Sequence, residues 1–238
     1  MKIIDTVKAT IVGLIVIGNI GLTDNRFYIW TYEYKTMEQG EVELENYITY
    51  SSPGVDSLKG NTSNKLEYEM EVGMTDRFDF AIYQVFEQSP SSPFKYKEYK
   101  LRWRYRFGEK GKYLVDPLLY LEYKGRPDFS RHEWEGKLIL AKDMGNWNVA
   151  VNPIFEVEID ESGSEKEYAY TAGTSYRISD LFRLGMEIKG SEYGHYIGPV
   201  IAHGTESTWV TFGAGFALTP MKEGKPGFLL RMLLGVTI

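Results

Sequence analysis

The chain has 238 residues, 25% of them charged, with 18 tyrosines, no cysteine and a formal net charge of -6; its mean hydropathy is -0.32. That length suits one domain or one barrel, and the polarity excludes a bundle of transmembrane helices. The lack of cysteine excludes a disulfide framework, a cysteine-based zinc site and a lipidated N-terminal cysteine, and the acidic balance argues against a nucleic-acid partner.

Residues 1–22 read as an export signal: Lys2 and Lys8 give a positive start, and residues 9–22 form an apolar stretch broken only by Asn19. At about fourteen residues the stretch is too short to span a bilayer comfortably as a helix. A buried strand or helix is the alternative reading. Residues 23–40 follow, where Phe27, Tyr28, Trp30, Tyr32 and Tyr34 look strand-like. A spanning strand there would leave the N-terminus outside the cell, so the expectation is a periplasmic or lumen-contacting segment. A short edge pairing competes with it.

From residue 41 onward the chain alternates with period two, the signature of strands that separate two faces. Val42, Leu44, Ile48 and Tyr50 oppose Glu41, Glu43 and Glu45. In residues 65–74, Leu66, Tyr68, Met70, Val72 and Met74 oppose Lys65, Glu67, Glu69 and Glu71. Phe78, Phe80, Ile82 and Phe86 oppose Asp79, Ala81, Tyr83 and Glu87. In residues 99–107 the pattern recurs with the opposite charge: Tyr99, Leu101, Trp103, Tyr105 and Phe107 oppose Lys100, Arg102, Arg104 and Arg106. Noisier alternation continues to residue 189, where Arg183, Glu187 and Lys189 oppose Leu184, Met186 and Ile188. Two apolar strands and a last one over residues 228–238, with Arg231 as its inward charge, complete a count of about twelve.

Connections alternate between tight turns, such as Thr75-Asp76-Arg77 and Met144-Gly145-Asn146, and longer loops over residues 51–63, 88–93, 125–131, 160–166, 190–194 and 219–226. Short turns at one end and longer loops at the other are the outer-membrane pattern. Strands of about nine to eleven residues suit a tilted span. Aromatic residues near both strand ends of the apolar face form two girdles, Trp147 and Tyr176 toward the turns and Tyr50 and Trp134 toward the loops. That face carries almost no Lys or Arg, each of which would cost about 2–4 kcal/mol at mid-bilayer.

On these residues the sequence resembles bacterial outer-membrane β-barrels of porin-like type, over residues 41–238. The resemblance implies an all-β fold, a transmembrane antiparallel up-and-down β-barrel, in the outer membrane, with lipid and lipopolysaccharide around it. The alternating last strand, Leu230, Met232, Leu234, Val236 and Ile238, resembles the signal read by the outer-membrane assembly machinery, although the terminal Ile238 departs from the usual Phe.

The acidic ladders Glu43/Glu45 and Glu67/Glu69/Glu71 share the inner side with Lys100, Arg102, Arg104, Arg106, Arg183 and Arg231, which nominates these residues as lumen and selectivity groups. A tight hairpin at Asp76 sets Glu71 beside Ala81 and Glu67 beside Val85, leaving room for basic side chains of the next strand to reach across two spacings, about 9–10 Å. A stiffening wall network and a solute-selecting transverse field are both open at this stage. The expected function is a passive channel or small-solute binding barrel with a charged lumen. A plugged structural or adhesive barrel is the first alternative, closed by its own side chains or by the N-terminal segment. An outer-membrane lipid-modifying enzyme is the second. His132, His195 and His203 lie near strand ends, and no Ser–His–acid geometry is legible around them. The acidic stretch 160–167 reads as solvated loop charge, with a Ca²⁺ or lipopolysaccharide bridge as the sharper option. No cofactor is implied, and no catalytic residue is nominated.

Overall fold

A computed structural model describes residues 25–205 and 207–238. The export-signal expectation for residues 1–22 falls outside the described residues. Twelve strands run in chain order: β1 (Val42–Ser52), β2 (Ser63–Thr75), β3 (Phe78–Gln88), β4 (Lys95–Arg106), β5 (Asp116–Gly125), β6 (Arg131–Met144), β7 (Trp147–Asp160), β8 (Gly163–Ser179), β9 (Phe182–Ser191), β10 (Gly194–Gly204), β11 (Thr208–Ala217) and β12 (Phe228–Thr237). Each pairs antiparallel with its neighbours in sequence, and β1 pairs with β12, so the sheet closes into a barrel. Closure leaves no unpaired edge, the condition for a sheet in lipid.

The alternation decides what each face meets. On β5, Asp116, Leu118, Tyr120 and Glu122 are buried inside the barrel, while Leu119 and Leu121 are 48% and 40% exposed on the outside. The same inversion of the soluble rule holds on β9, where Leu184, Met186 and Ile188 are exposed and Glu187 is 1% exposed. Tyr50, Tyr105, Trp134 and Trp147 are exposed near strand ends, at the heights of the two aromatic girdles.

The register across the β2–β3 hairpin is the one the turn predicts: Glu71 lies opposite Ala81, and Glu67 opposite Val85. Two loop expectations are corrected. Only Glu161 and Ser162 separate β7 from β8, and only Glu192 and Tyr193 separate β9 from β10. Each hairpin closes tightly because its first returning residue is a glycine at positive φ, +141° at Gly163 and +142° at Gly194, where a Cβ would be strained. The acidic stretch 160–167 is therefore largely strand: Glu158 pairs with Glu165 and Glu156 with Glu167 across the β7–β8 ladder.

Candidate functional site

The lumen holds three things: the N-terminal segment, a closed ion network against one wall, and a cavity at the loop end.

Residues 26–34 rise from the turn end to mid-barrel and come back. Thr211 on β11 donates to the Arg26 carbonyl. At the top of the excursion the Glu187 carboxylate accepts three backbone N–H groups, from Ile29 at 2.7 Å, Trp30 at 3.1 Å and Thr31 at 2.8 Å. Asn152 on β7 pairs with the Tyr32 backbone on both sides, accepting from its N–H at 2.6 Å and donating to its carbonyl at 3.1 Å. Tyr28 donates to Asn148 at 2.9 Å. On the way back Tyr34 donates to the Gly108 carbonyl at 2.7 Å, and Arg106 reaches Thr36 at 2.7 Å. The excursion is also closed on itself, because Arg26 donates to the Thr31 carbonyl at 3.1 Å and stands 3.5 Å from Glu33.

The wall is shaped for this segment. Gly213 and Gly215 face inward on β11, and a Cβ at either would collide with Ile29 or Trp30; Gly173 on β8 stands in the same relation to Tyr28. Arg183 stacks on the Phe27 ring at 3.8 Å. Glycine in a strand interior weakens the strand, and here it makes the room that the aromatic side chains fill.

The ion network lies on β1–β4. Arg102 contacts Glu69 at 2.7 Å, Glu71 and the Tyr83 hydroxyl at 2.6 Å, with no exposed surface on Arg102, Glu69 or Glu71 side chains. Arg104 holds Asp79 at 2.8 Å and also Glu71. Tyr47 donates toward Glu45 at 2.6 Å and also meets Glu69. Glu43 accepts from the Trp209 indole N–H. Because Ala81 separates Arg102 from Glu71 in the ladder, a long cation reaches over a methyl group to the next strand. Charges this buried are stable only when paired and hydrogen-bonded, and removing one partner of such a pair typically costs about 3–5 kcal/mol.

Above the segment is a cavity of about 500 Å³ that opens toward the loops; Ile29, Trp30 and Tyr32 contribute to its lining, with Lys189 and Arg231 on the wall. Most of its charges are paired. Lys100 contacts Glu67 at 2.8 Å, Lys124 contacts Glu135 at 2.8 Å, and Lys137 contacts Glu135 at 2.5 Å. Arg231 contacts Glu67 at 3.2 Å through one nitrogen, and its Nε is buried without a partner. Lys189 makes no ion pair among the described residues and faces the Trp30 ring at 5.3 Å.

The nominated residues therefore divide. Glu67, Lys100 and Arg231 line the cavity. Glu43, Glu45, Glu69, Glu71, Arg102 and Arg104 are buried in the wall network. Arg106 and Arg183 hold the N-terminal segment near the turn end. Sequence reasoning set Lys189 and Glu187 on the inner face of β9 without nominating them. Outside the spanning strands, in the β4–β5 turn, Glu109 is hydrogen-bonded by Arg77, which holds its carboxyl below the usual carboxylate range.

No protein-family model matches the sequence, and no curated protein matches it. Solved structures do. An outer-membrane channel from Pseudomonas putida F1 aligns with a TM-score of 0.61 at 11% identity, covering 86% of this chain and 98% of its own. The KdgM porin, solved with disordered oligogalacturonate, aligns at 0.56 and 9% identity over 83% and 97% of the two chains. The NanC porin aligns at 0.55 and 10% identity over 82% and 98%. At such identities the likeness is one of fold. Together with the apolar outer face, it establishes the fold as a twelve-stranded transmembrane barrel of the outer-membrane type.

Proposed function

We propose that this protein is a channel-type barrel that admits small solutes to a charged vestibule at the loop end, with the N-terminal segment as the constriction below. The observation that carries this reading is the cavity of about 500 Å³ above Trp30 and Tyr32, lined by charged groups from opposite walls. A cavity that size suits a single small molecule. It does not suit a polymer such as the oligogalacturonate found with the KdgM porin. The likeness to channel structures supports a channel over an enzyme. Passage requires the Ile29–Tyr32 stretch to leave its seat, and its main tether is one carboxylate, Glu187, on three backbone N–H groups. Losing a buried acceptor costs about 1–3 kcal/mol per stranded donor. Release of the Ile29–Tyr32 stretch is thus set by the three bonds to Glu187 and the two between Asn152 and the Tyr32 backbone, while the barrel itself stays closed.

The fit of Tyr28, Ile29 and Trp30 against Gly173, Gly213 and Gly215 also favours a second reading, a barrel permanently plugged and structural in role. Single-channel recording of the refolded protein in planar bilayers separates the two. The channel reading expects brief openings from the native protein and longer ones from Glu187→Ala. Silence from both, with the barrel folded, leaves the plugged reading.

A further inference from the structure

The acidic groups of the vestibule are oversubscribed. Glu67 serves three cations, Lys65 at 3.5 Å, Lys100 at 2.8 Å and Arg231 at 3.2 Å. Glu122 lies 3.7 Å from both Lys100 and Lys124, and Glu135 is held by Lys124 and Lys137. Glu156 turns to Glu135, and a hydrogen bond between two carboxyls takes a shared proton. Of the acidic lining this leaves Glu167, half-buried at the rim, without such a partner among the described residues. The cations are not all spoken for. Lys189, at the floor beside the Trp30 and Tyr196 rings at 5.3 and 5.8 Å, makes no ion pair among the described residues. The charged group that acts on it most strongly is Arg231, followed by Glu156, Lys137 and Lys65. Arg231 itself shares Glu67 with two other cations, and its buried Nε has no hydrogen-bond partner. At the mouth Lys225, exposed and also without an ion pair among the described residues, lies 4.8 Å from the Tyr193 ring.

A half-buried ammonium whose foremost charged neighbour is another cation gains a counter-charge only from an anion brought from outside. Hydrogen bonds from Lys or Arg to a carboxylate are among the strong ones. The lining beside these cations is apolar, with Ile29, Trp30, Leu229 and Met221. We propose that the vestibule floor is a binding site for small carboxylates with an apolar remainder. The carboxylate sits between Lys189 and Arg231, the carbon chain packs on the rings and aliphatic side chains, and Lys225 is the cation that meets the solute at the mouth. This rests on the channel reading and deepens it by naming the solute class.

The test titrates butanoate, butanamide, butylammonium and acetate calorimetrically into the refolded full-length protein in detergent at low salt, with detergent alone as the blank. Butanoate should bind at least about tenfold tighter than the amide or the ammonium, because it alone of these three brings the counter-charge. It should bind severalfold tighter than acetate, which lacks the apolar remainder. Lys189→Met should weaken butanoate by at least about tenfold, and Lys189→Arg should retain most of the affinity. Lys95→Met, which removes the same charge from an exposed position outside the vestibule, should leave the affinity at its native value. Any other probe binding as tightly as butanoate, equal losses from Lys189→Met and Lys95→Met, or no binding of butanoate overturns the proposal. If the barrel conducts salt and butanoate does not bind, the site fails and the channel stands. If butanoate binds to a barrel that never conducts, the channel fails and the site stands.

Discussion

Two walls of the lumen carry inward charges on alternating strand positions, yet they use them differently. On β2–β4 the cations and carboxylates are nearly matched, lie one or two strands apart and consume one another: Arg102 and Arg104 are shared among Glu69, Glu71 and Asp79, all buried. On β9–β12 the charges are sparse. Among the described residues, Glu187 is held by the N-terminal segment, Lys189 faces aromatic rings without an ion pair, and Arg231 has a single carboxylate. A dense ladder is thus a structural device, and the isolated charge is the one left to meet a mobile partner. Counting inward charges picks out the first wall; asking which of them lack partners picks out the second.

The largest effect expected from this contrast is on stability. Arg102→Ala leaves Glu69 buried without its cation and Glu71 with Arg104 alone, and should cost about 3–5 kcal/mol. Urea titration of the folded barrel, read by its heat-modifiable mobility, measures this. Lys189→Met in the same assay should leave the midpoint unchanged or raise it, because it removes a charge that has no ion-pair partner among the described residues. If Lys189→Met destabilises as much as Arg102→Ala, the two walls do not differ as described.

Next in size is the tether. Glu187→Ala strands three donors at the tip of the N-terminal segment and should lengthen channel openings severalfold in bilayer recordings, while Glu187→Gln, which keeps one acceptor oxygen, should fall between. A third variant reaches the same segment from its seat. Gly215→Val places a side chain where the Trp30 ring lies, and should raise open probability without disturbing the β1–β4 network. The smallest effect belongs to the Arg77–Glu109 pair on the turn-end surface, where both side chains are largely exposed. Glu109→Gln should leave both the unfolding midpoint and the conductance at native values.

The barrel was legible in the sequence because period two places an entire strand on one face or the other, and the strand lengths, the aromatic girdles and the near absence of Lys and Arg turned the apolar face outward, which alternation alone does not decide. The room for a basic side chain two strands away to reach Glu71 was legible too, since the Asp76 turn fixes the register and Ala81 leaves a gap; the partner itself was not, because the loop over residues 88–93 leaves the register of β4 open until it is seen. The β7–β8 and β9–β10 connections were not, because a polar run between strands reads as a loop whether or not a glycine at positive φ closes it. The depth reached by residues 26–34 was hidden for a different reason. Phe27, Tyr28, Trp30 and Tyr32 carry a strand's composition, and what seats them is an absence, the missing side chains at Gly173, Gly213 and Gly215 on inward positions of β8 and β11. Glycine recurring on the inner face of otherwise regular strands is the signal that could have pointed to an occupant of the lumen.

The claim that conduction runs past the N-terminal segment is most directly tested by locking that segment in place. The chain has no cysteine, so Ile29→Cys with Gly213→Cys introduces a unique pair; the Ile29 Cγ1, which a sulfur would replace, lies 3.2 Å from the Cβ that Gly213 lacks. That separation is close to the one across a disulfide. Single-channel recordings of the double variant should be silent when oxidised and regain native-like openings on reduction. Openings of equal size and frequency in both states would show that ions do not pass where Ile29 and Trp30 lie, and would contradict the account.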